Sequence, residues 1–232
     1  AHNGKMVDAP VVERAKRVVH VTSLDVSSMK YVLSSLSRVK NTKYPVKELY
    51  GGAMSIVVPK RFRDVSDFRP VPDSQEVFTC LDTSETLIVE ILQYQNDVSD
   101  EKAAKFFFEE LAEQNDASSF SILSSELLSV SSRPKLPSST CVTFLKGIQD
   151  AAKFREKSKN KIAVFQCVVR LRNVLADLLI TLTVPIQINL SSSSAKVVTD
   201  SVLKHGVDLR DSENLLRTMI HSFAVLDWSL FV

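Results

Sequence analysis

Glycine is scarce in this 232-residue sequence, and the five present, Gly4, Gly51, Gly52, Gly147 and Gly206, are too scattered to form a P-loop or a GxGxxG turn. Both loops need clustered glycines so that backbone amides can approach phosphate at the start of a helix. The chain is therefore not expected to hold GTP or a dinucleotide itself. Cysteine is equally sparse: Cys80, Cys141 and Cys167 are odd in number, far apart and without a C-x-x-C pair. That argues against a disulfide scaffold and for a reducing compartment. The histidines His2, His20, His205 and His221 stand nowhere at metal-ligand spacing from a cysteine. His221 falls near the end of a helical pattern, where a cation suits any fold. No serine has the strand-to-helix elbow of a hydrolase nucleophile. No catalytic residue, cofactor or metal is expected. Long apolar runs are missing too, since the nearest candidate, around Leu178–Leu190, contains Pro185 and leads into serines 191–194. No membrane partner is expected from it.

Hydrophobic residues make up 44% and charged residues 24% of the sequence, which is ordinary for a globular protein. The net charge of +2 conceals an asymmetry. Residues 1–46 carry eight lysines and arginines against three carboxylates, whereas the remainder carries 21 basic and 24 acidic side chains. The first segment, rich in serine and valine, reads as a basic, disordered extension whose residues 1–5, ahead of Met6, look like a tag remnant. Residues 47–232 read as one mildly acidic domain, suited to a basic protein surface and ill suited to nonspecific nucleic-acid binding.

Periodicity supplies the elements. Met54, Ile56 and Val58 alternate along Ala53–Val58 after the Gly51-Gly52 turn, and Pro59 ends that strand. Gln75–Cys80 and Thr86–Gln95 read as an antiparallel pair joined through Asp82-Thr83-Ser84. Ala104, Phe107, Phe108 and Leu111 mark one helical face within Ser99–Asn115. Two long alternating runs, Ala163 to Leu171 and Ala176 to Val184, predict strands joined near Arg172–Val174. Leu215, Leu216, Met219, Ile220 and Phe223 predict a closing helix. The sum is an α+β fold, a largely antiparallel sheet covered by helices.

Chemistry concentrates between residues 64 and 90. Asp64, Asp67, Asp73 and Glu76 lie within thirteen residues, with Pro70 and Pro72 holding the chain extended between them. They read either as an acidic surface strip or as turn and cap chemistry, with Asp64 capping a short turn and Asp73 bracing the next. Glu90 stands out because Ile88, Val89, Ile91 and Leu92 surround it, and a carboxylate among apolar neighbours needs a partner. A second charged feature is the row Lys153, Arg155, Lys157, Lys159 and Lys161 at every second residue. It suits either a phosphate backbone or a solvated hairpin whose cations discourage edge pairing.

Leu49-Tyr50-Gly51-Gly52-Ala53, Asp64-Val65-Ser66, Arg69-Pro70-Val71-Pro72-Asp73, Gln75-Glu76-Val77-Phe78 and Leu87-Ile88-Val89-Glu90 resemble, in order and spacing, the opening signature of the Ran guanine-nucleotide-release factors, the Mog family. Ala152-Lys153-Phe154-Arg155-Glu156, Arg170-Leu171, Asp177–Thr181 and Asp227-Trp228-Ser229-Leu230-Phe231 are similar to its later blocks. The resemblance implies a Mog/PsbP-like α/β/α sandwich with about six largely antiparallel strands. It further implies a non-catalytic regulator, in the nucleus and cytoplasm, that binds Ran in its nucleotide-free or GTP form and releases its nucleotide in support of nuclear transport. A second Ran-binding protein is left open as a further partner. The Ran-binding residues it implies are Asp64, Asp67, Arg69, Asp73, Gln75, Glu76 and Glu90, while an acidic position three residues after Glu90 is Gln93 here. Two alternatives remain, a PsbP-like photosynthetic accessory subunit and a nucleic-acid module built on the Lys153–Lys161 row.

Overall fold

A computed structural model describes residues 44–152, 159–187 and 209–231. The basic extension up to residue 43, and Lys153, Arg155 and Lys157 of the cationic row, lie outside the described residues. Strands β1 (Val46–Leu49), β2 (Met54–Val57), β3 (Phe62–Asp64), β4 (Gln75–Cys80) and β5 (Thr86–Gln93) come first, followed by helix α1 (Ala103–Gln114). Then follow β6 (Ser119–Leu127), β7 (Cys141–Ala152), β8 (Lys159–Leu171), β9 (Ala176–Gln187), helix α2 (Leu209–Ser222) and the short β10 (Ala224–Val225).

Seven strands form one sheet in the order β3-β4-β5-β9-β8-β7-β6, and every neighbouring pair is antiparallel. A second sheet, β1-β2-β10, is smaller. β8 and β9 lie at the centre of the large sheet and are covered on both faces, so their apolar residues run on through both alternating sets. On one face α1 buries Ala104, Phe107, Phe108 and Leu111 against Val77, Ile88, Val164, Val168 and Leu179. On the other, α2 buries Leu216, Met219 and Ile220 with Met54 and Ile56 of β2 against Phe78, Val89, Phe165 and Ile180. The expected sandwich is present, with one strand more in its main sheet than the resemblance suggested.

β4, β5, both helices and the β8–β9 pair fall where periodicity puts them. β1, β3, β6, β7 and β10 were not anticipated. β7 breaks its apolar pattern with Lys146, Gly147 and Asp150, and β6 is an edge strand of serines and exposed apolar residues. Neither shows the clean alternation of a strand with one wet face.

Gly147 is explained by what lies above it. A Cβ there would stand 2.4 Å from the Phe108 ring and 2.9 Å from the Ser121 carbonyl oxygen. The bare backbone of β7 is thus the seat for Phe108, which also meets Phe120 edge-on with centroids 5.9 Å apart. Gly147→Val forces that ring off its seat and is expected to cost about 1–3 kcal/mol, the usual range for overpacking. Urea denaturation checks this, and a stability matching the unsubstituted chain contradicts the packing described.

Candidate functional site

The signature residues gather at one end of the large sheet, where β4 begins and β5 ends. Tyr50 organises them. It opens a 3-10 turn, Tyr50–Gly52, in which Tyr50, Gly51 and Gly52 all adopt positive φ, 51°, 64° and 96°. Glycine enters that region without penalty and tyrosine does not, so the Tyr50 conformation must be held from outside. Its amide donates to Glu76 Oε1 at 2.6 Å, and its single hydroxyl proton is shared between the carbonyl oxygens of Ser74, 3.0 Å, and Val89, 2.9 Å. One residue therefore ties the turn after β1 to the start of β4 and to β5. Burial, followed by the charges of Glu76 and Glu90, pushes the phenol well above its ordinary value, so it remains a donor.

The loop between β3 and β4 carries the acidic strip. Asp64 accepts the Ser66 amide at 2.9 Å and the Ser66 hydroxyl at 2.6 Å, which braces the turn as the cap reading anticipated. Phe68 and Arg69 donate their amides to the Val65 carbonyl, which tightens that turn around the exposed Asp67. Arg69 is half-buried. A second turn, closed by the Gln75 amide on the Pro72 carbonyl at 2.9 Å, exposes Asp73.

The remaining acidic positions correct the idea of one outward strip. Gln75 and Glu90 are cross-strand partners, 7% and 5% exposed, joined from Gln75 Nε2 to Glu90 Oε1 at 2.8 Å. By strand alternation they share the α1 face with Val77 and Ile88. Glu76 points to the opposite face, half-buried against Tyr50. Desolvation raises its carboxyl and Asp64 adds to that, while the Tyr50 amide opposes both. Thus Asp67 and Asp73 are presented outward, Asp64 is half-exposed, and Gln75, Glu76 and Glu90 support the scaffold. The apolar flanks of Glu90 pointed to burial, and the Gln75 partner supplies the compensation.

Several neighbours were not found from sequence. The Leu226 and Asp227 amides both donate to the Ala53 carbonyl, bringing the chain end beside the Gly51-Gly52 turn. Trp228 then borders a cleft of about 240 Å³ lined by Asp100, Thr140, Cys141, Arg170, Arg172 and Val174 among others. Arg170 is locked there: Nε bonds Asp177 Oδ1 at 3.0 Å, its terminal nitrogens reach the carbonyls of Val98 and Gln95, and its guanidinium lies 4.1 Å from the Tyr94 ring centre. Burial raises the Asp177 carboxyl, against the lowering effect of the Gln95 amide and Arg170. Four separate segments build this cleft, so no local motif announces it. Among the described residues no group of histidine, cysteine and carboxylates is arranged to hold a metal ion.

A family model described as "Ran-interacting Mog1 protein" matches residues 47–185. The probable ran guanine nucleotide release factor of Dictyostelium discoideum is 36% identical over 188 residues, spanning 80% of this chain and 95% of that one. The human Ran guanine nucleotide release factor is also 36% identical, over 62% of this chain and 77% of its own length. The crystal structure of the Saccharomyces cerevisiae Ran-binding protein Mog1p superposes with a TM-score of 0.60, over 83% of this chain and all of that one. At 23% identity that match speaks to the fold alone.

Tyr50→Phe removes the hydroxyl that serves two carbonyls while keeping the ring and the strained backbone. The expected cost is about 0.5–1.5 kcal/mol, the net worth of one hydrogen bond, since the Ser74 carbonyl keeps the Ile91 amide at 2.9 Å, with the local effect concentrated on residues 50–53 and 74–76. Denaturation together with amide exchange checks it. Unchanged exchange in those residues would show that the hydroxyl does not hold the rim.

Proposed function

The chain belongs to the Ran-interacting Mog1 family, and from that premise we propose that it binds the small GTPase Ran and promotes release of Ran's guanine nucleotide, in support of nuclear transport. The observation that carries the reading is that the family match over residues 47–185 includes the rim exposing Asp67 and Asp73. The names of relatives agree with it, among them the Schizosaccharomyces pombe nuclear import protein mog1, 30% identical over 156 residues. The nucleus and the cytoplasm are where such a protein acts.

A GTPase holds nucleotide through P-loop amides, a lysine and Mg²⁺. A partner that offers carboxylates to those cations, or draws a switch loop toward itself, weakens the hold without making or breaking a covalent bond. Asp67 and Asp73 stand on turns closed by backbone hydrogen bonds, so both charges are fixed before contact. The role is regulatory, not catalytic. By linkage, the factor by which the chain weakens nucleotide binding is the factor by which nucleotide weakens the chain's own binding. Nucleotide-free Ran is accordingly the preferred partner.

Asp67→Lys with Asp73→Lys is expected to leave the fold intact, because both side chains are exposed, and to slow release of a fluorescent guanine nucleotide from Ran about tenfold, each exposed charge contributing about 1 kcal/mol or less. Stopped-flow fluorescence at fixed protein concentration reads the rate, and an unchanged rate in the folded variant contradicts the assignment. Glu90→Lys is not an equivalent probe, since it places a cation where a buried carboxylate now meets Gln75.

A further inference from the structure

Around the cleft bordered by Trp228, apolar side chains face solvent. Leu226 is 62% exposed, Trp228 38% and Leu175 60%. Leu175 also adopts the left-handed conformation, φ 50° and ψ 41°, at the end of the 3-10 turn Arg172–Val174 that lines the cleft with Trp228. A leucine held outward in a strained conformation is unfavourable twice over, and such strain concentrates at binding sites.

This corner is continuous with the rim. From Ser74, next to Asp73, the hydroxyl of Tyr50 leads to the Tyr50–Gly52 turn, and Ala53 then receives the amides of Leu226 and Asp227. Asp227 remains exposed and accepts the Ser229 amide at 2.9 Å, fixing the direction of the Trp228 segment. Short contacts thus link the apolar corner, Asp227 and the cleft to the turn that carries Asp73. The β6 edge also exposes Phe120, Leu123 and Leu127, but a register shift between Ile122 and Ser124 and the Arg217–Glu126 ion pair guard it against pairing.

Resting on the reading that this chain docks Ran, we infer that Leu226, Trp228 and the adjoining cleft are the anchor of the docking surface, and that Asp67 and Asp73 steer the encounter. The partner surface that fits is basic and offers an apolar side chain to the cleft. Affinity at protein interfaces is dominated by a few well-packed groups, tryptophan prominent among them. Exposed charges instead act on the rate of association and its salt dependence.

The test measures association and dissociation rates of the full chain with nucleotide-free Ran at two salt concentrations. Trp228→Ala is expected to weaken binding about thirtyfold, chiefly through faster dissociation, and Leu226→Ser to act in the same sense. Asp67→Lys with Asp73→Lys is expected to slow association and flatten its salt dependence. Trp228 is the only tryptophan in the chain, so 5-fluorotryptophan incorporated there gives one fluorine resonance that shifts when Ran binds and stays put if the corner is remote. Leu226→Ser keeps the test valid should Trp228→Ala fail to fold. If both corner variants bind within twofold of the unsubstituted chain while the acidic pair weakens binding, the anchor is refuted and the Ran reading stands. If the unsubstituted chain binds no form of Ran, both fall together.

Discussion

Tyr50 is the constraint on which the functional end of the molecule depends. Its amide hydrogen bond to Glu76 and its hydroxyl, shared between the carbonyls of Ser74 and Val89, join the turn after β1, the start of β4 and β5. Its positive φ is unfavourable by itself and persists because those partners, with the glycines that follow, overdetermine the turn. Released from them, the loop carrying Asp67 and Asp73 and the segment carrying Trp228 would lose their common support.

That support decides which carboxylates meet a partner. A charge buried beside an amide contributes to architecture, as Glu76 does with Tyr50 and Glu90 with Gln75. A charge at the tip of a closed turn contributes to recognition, because its field reaches solvent and it needs no ordering on contact. The same division appears on the far side of the rim. Arg170 is committed to Asp177, Asp100 and two carbonyls, whereas Arg172 stays exposed and reaches Asp100 at 3.3 Å. One arginine builds the cleft and the other borders it.

Much of the fold was legible because burial follows periodicity. Val164, Val168, Phe165 and Cys167 alternate between the two cores as the pattern of β8 required. β6 and β7 escaped because an edge strand need not alternate and because Gly147 and Phe108, 39 positions apart, define each other only in three dimensions. At the candidate site, the turn chemistry of Asp64 was visible in the sequence. Which carboxylates face outward was not, since neighbours such as Gln75 and Glu76 point to opposite faces of one strand. The corner at Leu226 and Trp228 was hidden for the reason the cleft was, its parts coming from distant segments.

The central claim is that one contiguous rim, running from the acidic turns through the Tyr50 turn to Trp228, is the face that meets Ran. Hydrogen–deuterium exchange of the full chain with and without nucleotide-free Ran reads it directly. Slower exchange on binding is predicted at residues 65–76, 50–53 and 226–231, with β6 and the outer side of α2 unaffected. Protection confined to β6 or α2, with the rim unchanged, would contradict the account.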